Sequence, residues 1–87
     1  MLSELKNGPK VAGVKQTKRA IGDGRAVRVF LAKDADPRVT EPVEELCREK
    51  GIAVEHVPAM KELGAACGIA VGSAVAALVH WFLRNKL

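Results

Sequence analysis

Apolar positions along this chain switch repeatedly between helical and strand spacing, and glycine or proline marks almost every switch. Residues 3–8 form a short helical lead-in that stops at Gly8-Pro9. Val11-Ala12-Gly13-Val14 is a brief apolar run with the length of an edge strand. Residues 15–22 follow as a helix whose Thr17, Ala20 and Ile21 share the inward face. Gly22-Asp23-Gly24 stops that helix. Ala26-Val27-Arg28-Val29-Phe30-Leu31-Ala32 has the continuous apolar character of a strand covered on both faces, with Arg28 as its one outward residue.

Lys33-Asp34-Ala35-Asp36-Pro37 then reads as a loop. Asp36 is positioned to cap the next helix, with Pro37 at its first position. That helix is predicted to run to Lys50, with Val39, Val43, Leu46 and Cys47 on one stripe and Gly51 as its C-terminal stop. A second strand is expected over Ile52 to Val57, a shorter helix over Met60 to Cys67 ending at Gly68, and a last strand over Ser73 to Leu83, before the charged tail Arg84-Asn85-Lys86. Buried strands alternating with helices predict a three-layer α/β sandwich. The whole of 1–87 reads as a single domain, with 1–8 as lead-in and 84–87 as charged tail.

One stretch supports a rival reading. Leu63 to Leu83 contains no formal charge over 21 residues, which satisfies the length rule for a membrane span, and Gly64, Gly68 and Gly72 recur every fourth residue. Ala and Gly dominate it, however, and Ser73 and His80 interrupt it. Residues 73–79 serve equally well as the strand that completes the sandwich, so no membrane association is expected.

Composition narrows the chemistry. Aromatics are 3% of the chain, so Ala, Val, Ile and Leu must build the core. An 87-residue domain buries about 60–65% of its unfolded surface, which makes that core modest. Cys47 and Cys67 lie far apart without a CxxC or a matching His pair, so no metal or cofactor is expected. They read as reduced, mostly buried thiols of a cytoplasmic protein, and the polar N-terminus shows no secretory signal. His56 and His80 have no nucleophile or carboxylate at catalytic spacing and read as structural. Asp34 and Asp36 are read as capping and loop-bonding residues rather than an acid–base pair. Trp81 and Phe82 are expected to close the core. No constellation of an enzyme appears.

The net charge of +4 is unevenly spread. Residues 1–38 carry a net +5, residues 39–62 a net −3 and residues 63–87 a net +2. A basic end beside an acidic middle favours a localised anion site. The stretch Gly13-Val14-Lys15-Gln16-Thr17-Lys18-Arg19-Ala20 focuses that charge. It sets Lys15, Lys18 and Arg19 in the opening turns of a helix, where the dipole is positive and cations gain nothing from folding. A polyanion would supply the reason for them, since phosphate is the usual ligand of a helix start and the amide of Gln16 can read base edges. A solvated helix face is the plainer account of the same residues.

With this glycine-led basic helix, the Ala32-Lys33-Asp34-Ala35-Asp36-Pro37 loop and the Leu63-Gly64-Ala65-Ala66-Cys67-Gly68-Ile69-Ala70-Val71 segment, the chain resembles a known family. It is similar to the kink-turn-binding ribosomal proteins of the "seven-Ae" and "thirty-e" large-subunit type, above all to their small bacterial paralogues. The resemblance covers about residues 7–80. It implies an α/β/α sandwich with a mixed four-stranded sheet. It also implies binding of structured RNA, such as ribosomal RNA or a riboswitch, that bends sharply at a bulge beside tandem sheared G·A pairs. By resemblance, the start of the basic helix enters the RNA groove. Gly13, Val14, Lys15, Gln16, Thr17, Lys18 and Arg19 then fall on the contacting segment. Lys15 and Gln16 stand where archaeal and eukaryotic members usually carry Asn and Glu, and Arg19 where the family usually has Lys. Ile69, Ala70 and Val71 match the apolar loop that packs on the bulge nucleotides. Lys33, after its strand, is a candidate backbone contact.

The function expected on these grounds is recognition of a kink-turn or kink-loop RNA by a monomeric, non-enzymatic protein. The alternative is a ribosome-associated adaptor that docks a protein through the acidic helix carrying Glu41, Glu44, Glu45 and Glu49.

Overall fold

A computed structural model describes residues 2–80. The tail Arg84-Asn85-Lys86 and the pair Trp81-Phe82 lie outside the described residues. The described elements run α1 (Leu2–Asn7), β1 (Lys10–Ala12), α2 (Val14–Gly22), β2 (Ala26–Ala32), α3 (Pro37–Lys50), β3 (Ala53–Val57), α4 (Met60–Ala66) and β4 (Val75–Val79). The four strands form one sheet in the order β1-β4-β2-β3. β4 is antiparallel to both β1 and β2, and β2 is parallel to β3, so the sheet is mixed as expected.

Alternation along the two central strands fixes the layers, because successive side chains of a strand point to opposite faces. Val29 and Leu31 of β2 and Val75, Ala77 and Val79 of β4 face one way, where Ala20 and Ile21 of α2 and Val43 and Cys47 of α3 close a fully apolar core. Phe30 and Ala32 of β2 and Ala76 of β4 face the other way, against Leu5 of α1 and Leu63 and Ala66 of α4. Helices therefore cover both faces, and the sandwich has three layers. The small Ala76 and Ala77, both fully buried, let helices lie close on the middle of the sheet.

Local signals explain most boundaries. Asp36 accepts the Arg38 backbone N–H at 2.9 Å and so caps α3, with Pro37 next in line. The Arg38 guanidinium on the same carboxylate holds Asp36 below the usual carboxylate range. Gly51 closes α3 in a left-handed conformation. Pro42 lies inside α3, where its ring nitrogen donates no bond to the preceding turn, and the helix continues through it.

Two expectations about the strands are corrected by the geometry. The exposed residue of β2 is Val27, not Arg28, because the pairing with β4 slips between Ala26 and Arg28 and turns Val27 outward. Arg28 is half-buried and held at 2.7 Å by Glu4 of α1 and at 3.3 Å by Glu55 of β3. The last strand starts at Val75, two residues later than predicted, since the Ser73 N–H is bonded to the Met60 carbonyl of α4 rather than to a strand, and its predicted end at Leu83 lies outside the described residues. The apolar stretch from Leu63 is divided between α4, a loop and β4, and among the described residues no helix is long and apolar enough to cross a membrane.

The loop from Gly68 to Ala74 is laid directly on α4. Gly68 ends the helix with φ of 77°, and the Ile69 N–H reaches back to the Gly64 carbonyl at 3.0 Å. Gly64 has no side chain because the returning chain passes over it. A Cβ there would collide with the Val71 carbonyl oxygen and lie 3.0 Å from Gly72 Cα. We predict that Gly64→Ala destabilises the protein by about 1–3 kcal/mol in chemical denaturation, as overpacking against backbone does. Gly22→Ala, in open space at the end of α2, should instead be neutral or stabilise by a few tenths of a kcal/mol.

Candidate nucleic-acid interface

The carboxyl ends of β1, β2 and β3 and the amino end of β4 share one edge of the sheet, as the strand registers require. α2 opens from that edge, and Lys33 follows the strand end beside it. β1 ends at Ala12, and Gly13 turns the chain into α2. Gly13 has φ 99° and ψ 155°, a region that essentially only glycine occupies. Its N–H donates to the Val75 carbonyl at 3.0 Å, and its carbonyl accepts the first helical bond from the Thr17 N–H at 3.0 Å. A glycine offers no side-chain cap, so the N–H groups of the first turn of α2 remain open to a ligand.

On this helix Lys15, Gln16, Lys18 and Arg19 are exposed. Among the described residues none of these cations is paired with a carboxylate. The dipole argument holds only for Lys15. α2 has nine residues, which sets Lys18 mid-helix and Arg19 in the last turn, where a cation is favoured by the dipole. Val14 is partly buried and packs on the α2–α3 core. Thr17 is fully buried, and its hydroxyl has no hydrogen-bond partner. Its side chain is withdrawn beneath the surface that Lys15 and Gln16 present, so a direct contact from Thr17 does not fit this geometry.

The loop Ile69-Ala70-Val71 rests on α4 and leads into β4, whose first residue Val75 carries the bond from Gly13. Ile69 is 39% exposed and Val71 is 73% exposed, an apolar lip that the fold itself does not cover. Ala70 is exposed between them. Lys33 follows β2 directly, exposed, with its N–H bonded to the Val57 carbonyl at 2.7 Å. Gly13 and Lys33 thus follow strands that end at this edge, Lys15 and Gln16 lie in the helix turn that opens from it, and residues 69–71 precede the strand that starts there, whereas Arg19 lies in the last turn of its helix.

Two residues near this edge were missed or only half-read in the sequence. Asp34 reads in the sequence as a capping or loop-bonding residue with no partner identified. Its carboxylate accepts the Met60 N–H at 2.8 Å and so caps α4, whose own N-cap residue Ala59 has no polar side chain. Ser73, read only as the start of a strand, is buried and donates its hydroxyl to the Val75 carbonyl at 2.7 Å. A cap supplied from 26 residues away leaves no local spacing to detect.

The thiols offer no nucleophile. Burial raises the Cys47 thiol, helped by the charge of Glu44, and burial raises Cys67 against a smaller opposing pull from Lys10. They pack on opposite faces of the sheet, Cys47 with α2 and α3 and Cys67 against the α1–α4 core, which leaves no route to a bridge.

Comparison with known proteins places the chain among relatives named for RNA binding. An RNA-binding protein of Geobacillus sp. (strain WCH70) is 44% identical over 76 residues, covering 87% of this chain and 93% of its own. An RNA-binding protein of Caldanaerobacter subterraneus subsp. tengcongensis is 46% identical over 68 residues, covering 78% and 83%. Among solved structures, a Giardia lamblia 15.5kD RNA binding protein superposes with a TM-score of 0.85 at 28% identity, covering 97% of this chain and 75% of that one. Residues 3–81 match the Ribosomal protein L7Ae/L30e/S12e/Gadd45 family, and the chain is a member of it.

Proposed function

We propose that this protein binds a kink-turn or kink-loop RNA and stabilises its bent form. The carrying observation is the Gly13 N–H to Val75 carbonyl bond, which ties an uncapped, cationic helix start to the first residue of β4, the strand that the exposed apolar residues Ile69 and Val71 lead into. A straight duplex offers phosphates to the first and nothing to the second. A sharply bent, bulged helix offers both phosphate and unstacked bases within one footprint. The RNA-binding names of its relatives support the class of ligand.

The division of roles follows from side-chain chemistry. Lys15 is a point charge for phosphate or a guanine acceptor. Gln16 carries both a donor and an acceptor for a base edge. The open N–H groups of α2 suit a phosphate oxygen. Lys33 neutralises the backbone on the other side of the rim. Ile69 and Val71 cover the faces of splayed bases, and Ala70 between them leaves room for close approach. Lys18 and Arg19 add charge to the flank. The protein binds the bent form better than the extended one, and that difference alone shifts the RNA population. Ribosome association follows from the same chemistry wherever the bent motif lies in ribosomal RNA. The adaptor reading has less to stand on, since Glu44 faces His56 at 3.6 Å and Glu45 faces Arg48 at 3.8 Å.

We expect log affinity for a kink-turn to fall linearly with log salt, at roughly 0.7–0.9 per phosphate contacted. Affinity that is flat in salt refutes the phosphate half of the account. Gln16→Ala and Lys15→Ala should weaken kink-turn binding by about tenfold, and straight-duplex binding far less. Equal losses on both ligands would reduce these residues to generic phosphate contacts. Val71→Ser should leave the unfolding midpoint nearly unchanged, because the side chain is already exposed, while weakening binding only to the RNA with a bulge. An unchanged gel-shift titration for this variant removes the apolar loop from the interface.

A further inference from the structure

Asp34 is an exposed carboxylate next to Lys33, on a rim that would otherwise favour phosphate. A negative charge there repels the proposed ligand, so its value must lie elsewhere. A continuous set of hydrogen bonds starts from it. Asp34 Oδ1 accepts the Met60 N–H at 2.8 Å. The Met60 carbonyl accepts the Ser73 N–H at 3.0 Å. The Ser73 hydroxyl donates to the Val75 carbonyl at 2.7 Å, and that same oxygen accepts the Gly13 N–H at 3.0 Å. The Ala74 carbonyl meanwhile accepts the Ala32 N–H at 2.9 Å, just before Lys33. Each end of the set is thus attached to one part of the rim, and the loop 69–72 hangs between Met60 and Ser73.

We infer that Asp34 and Ser73 form a brace that sets the separation between the apolar loop and the start of α2, and so act as specificity-determining positioning residues. This rests on the RNA-binding reading above and names the residues that give that surface its shape. Neither side chain needs to touch RNA. Ser73 is buried, and the Asp34 acceptor is occupied by Met60. A buried hydroxyl is a costly way to fill space unless its bond has a use. Here it shares its acceptor with Gly13, the residue that orients α2. The Cβ of a residue at Gly72 would come within 3.1 Å of Met60 Cβ, so the loop is also held from its other side. A loop braced in this way offers the bulge one fixed spacing from Lys15 and Gln16. A loosened loop still binds phosphate but loses its preference for the bent shape.

The test separates bonding from charge. Asp34→Asn and Asp34→Ala remove the same negative charge, but only Asn retains an acceptor for the Met60 N–H. Ser73→Ala removes the hydroxyl while leaving Val75 its bond from Gly13. Each variant is titrated with a kink-turn duplex and with the same duplex after replacement of its G·A pairs. Amide exchange at Gly13 and Ser73 is followed in the free proteins. The ratio of the two affinities should be near wild type for Asp34→Asn. It should fall roughly three- to tenfold for Asp34→Ala and Ser73→Ala, the range of one lost hydrogen bond. Exchange at Ser73 should be faster in Asp34→Ala than in Asp34→Asn, and exchange at Gly13 faster in Ser73→Ala than in wild type. Identical ratios and exchange rates for the Asn and Ala variants overturn the brace. A wild-type protein that does not prefer the kink-turn overturns the RNA reading instead, and the exchange rates then decide the brace alone.

Discussion

The Gly13 N–H bond to the Val75 carbonyl is the contact on which the functional architecture depends. It occurs where β1 ends, β4 begins and α2 starts. Because β4 lies between β1 and β2, any shift at Val75 passes to both neighbours. The conformation of Gly13, with φ of 99°, lets the chain leave the edge strand and turn into a helix within one residue. A side chain at this position would be strained irrespective of the open space around it. The helix start is therefore fixed to the core on one face of the sheet and the loop, through α4, to the core on the other, and neither is a free surface feature.

Charge is arranged with the same economy. Arg28 is neutralised between Glu4 and Glu55, and Arg38 is bonded to the carboxylate that caps its own helix. Arg25 lies against Asp23 at 3.3 Å. The basic residues that fasten the scaffold thus have acidic partners. Lys15, Lys18 and Arg19 have none among the described residues. A net charge of +4 understates this separation, because it sums cations engaged in structure with cations left for a ligand.

The scaffold was legible from the sequence because its signals are local. Asp36-Pro37 at a helix start, Gly51 and Gly68 at helix ends and the apolar run of β2, broken only by Arg28, each act within a few residues. The order of the elements and the layer architecture followed from them. The site was legible only in part. The spacing of Lys15, Gln16, Lys18 and Arg19 marked a basic helix, but not that Arg19 lies in its last turn, which depends on where Gly22 and Asp23 stop it. The inward face of Thr17 was visible in the periodicity, and it competes with a contact role for that same side chain. What could not be read were bonds between segments remote in the chain, from Asp34 to Met60 and from Gly13 to Val75. The outward turn of Val27 comes from a slipped register, which no alternation pattern discloses.

Long-range charge and short-range shape then have separate tasks. Phosphate contacts are blind to sequence and weaken together as salt rises. They cannot distinguish a bent RNA from a straight one of equal charge density. Discrimination must come from groups whose contact requires one geometry, and in the proposed reading those are the apolar side chains of the loop. Val71, exposed at 73%, contributes little to the core, so its position gains value only if it is constant relative to Lys15 and Gln16. Gly64 permits that position by letting the loop backbone rest on α4, and the Asp34–Met60–Ser73 bonds hold it there. In the proposed reading the rigidity of the loop is a functional requirement, and the glycine and the carboxylate that secure it serve the recognition surface without having to touch the RNA.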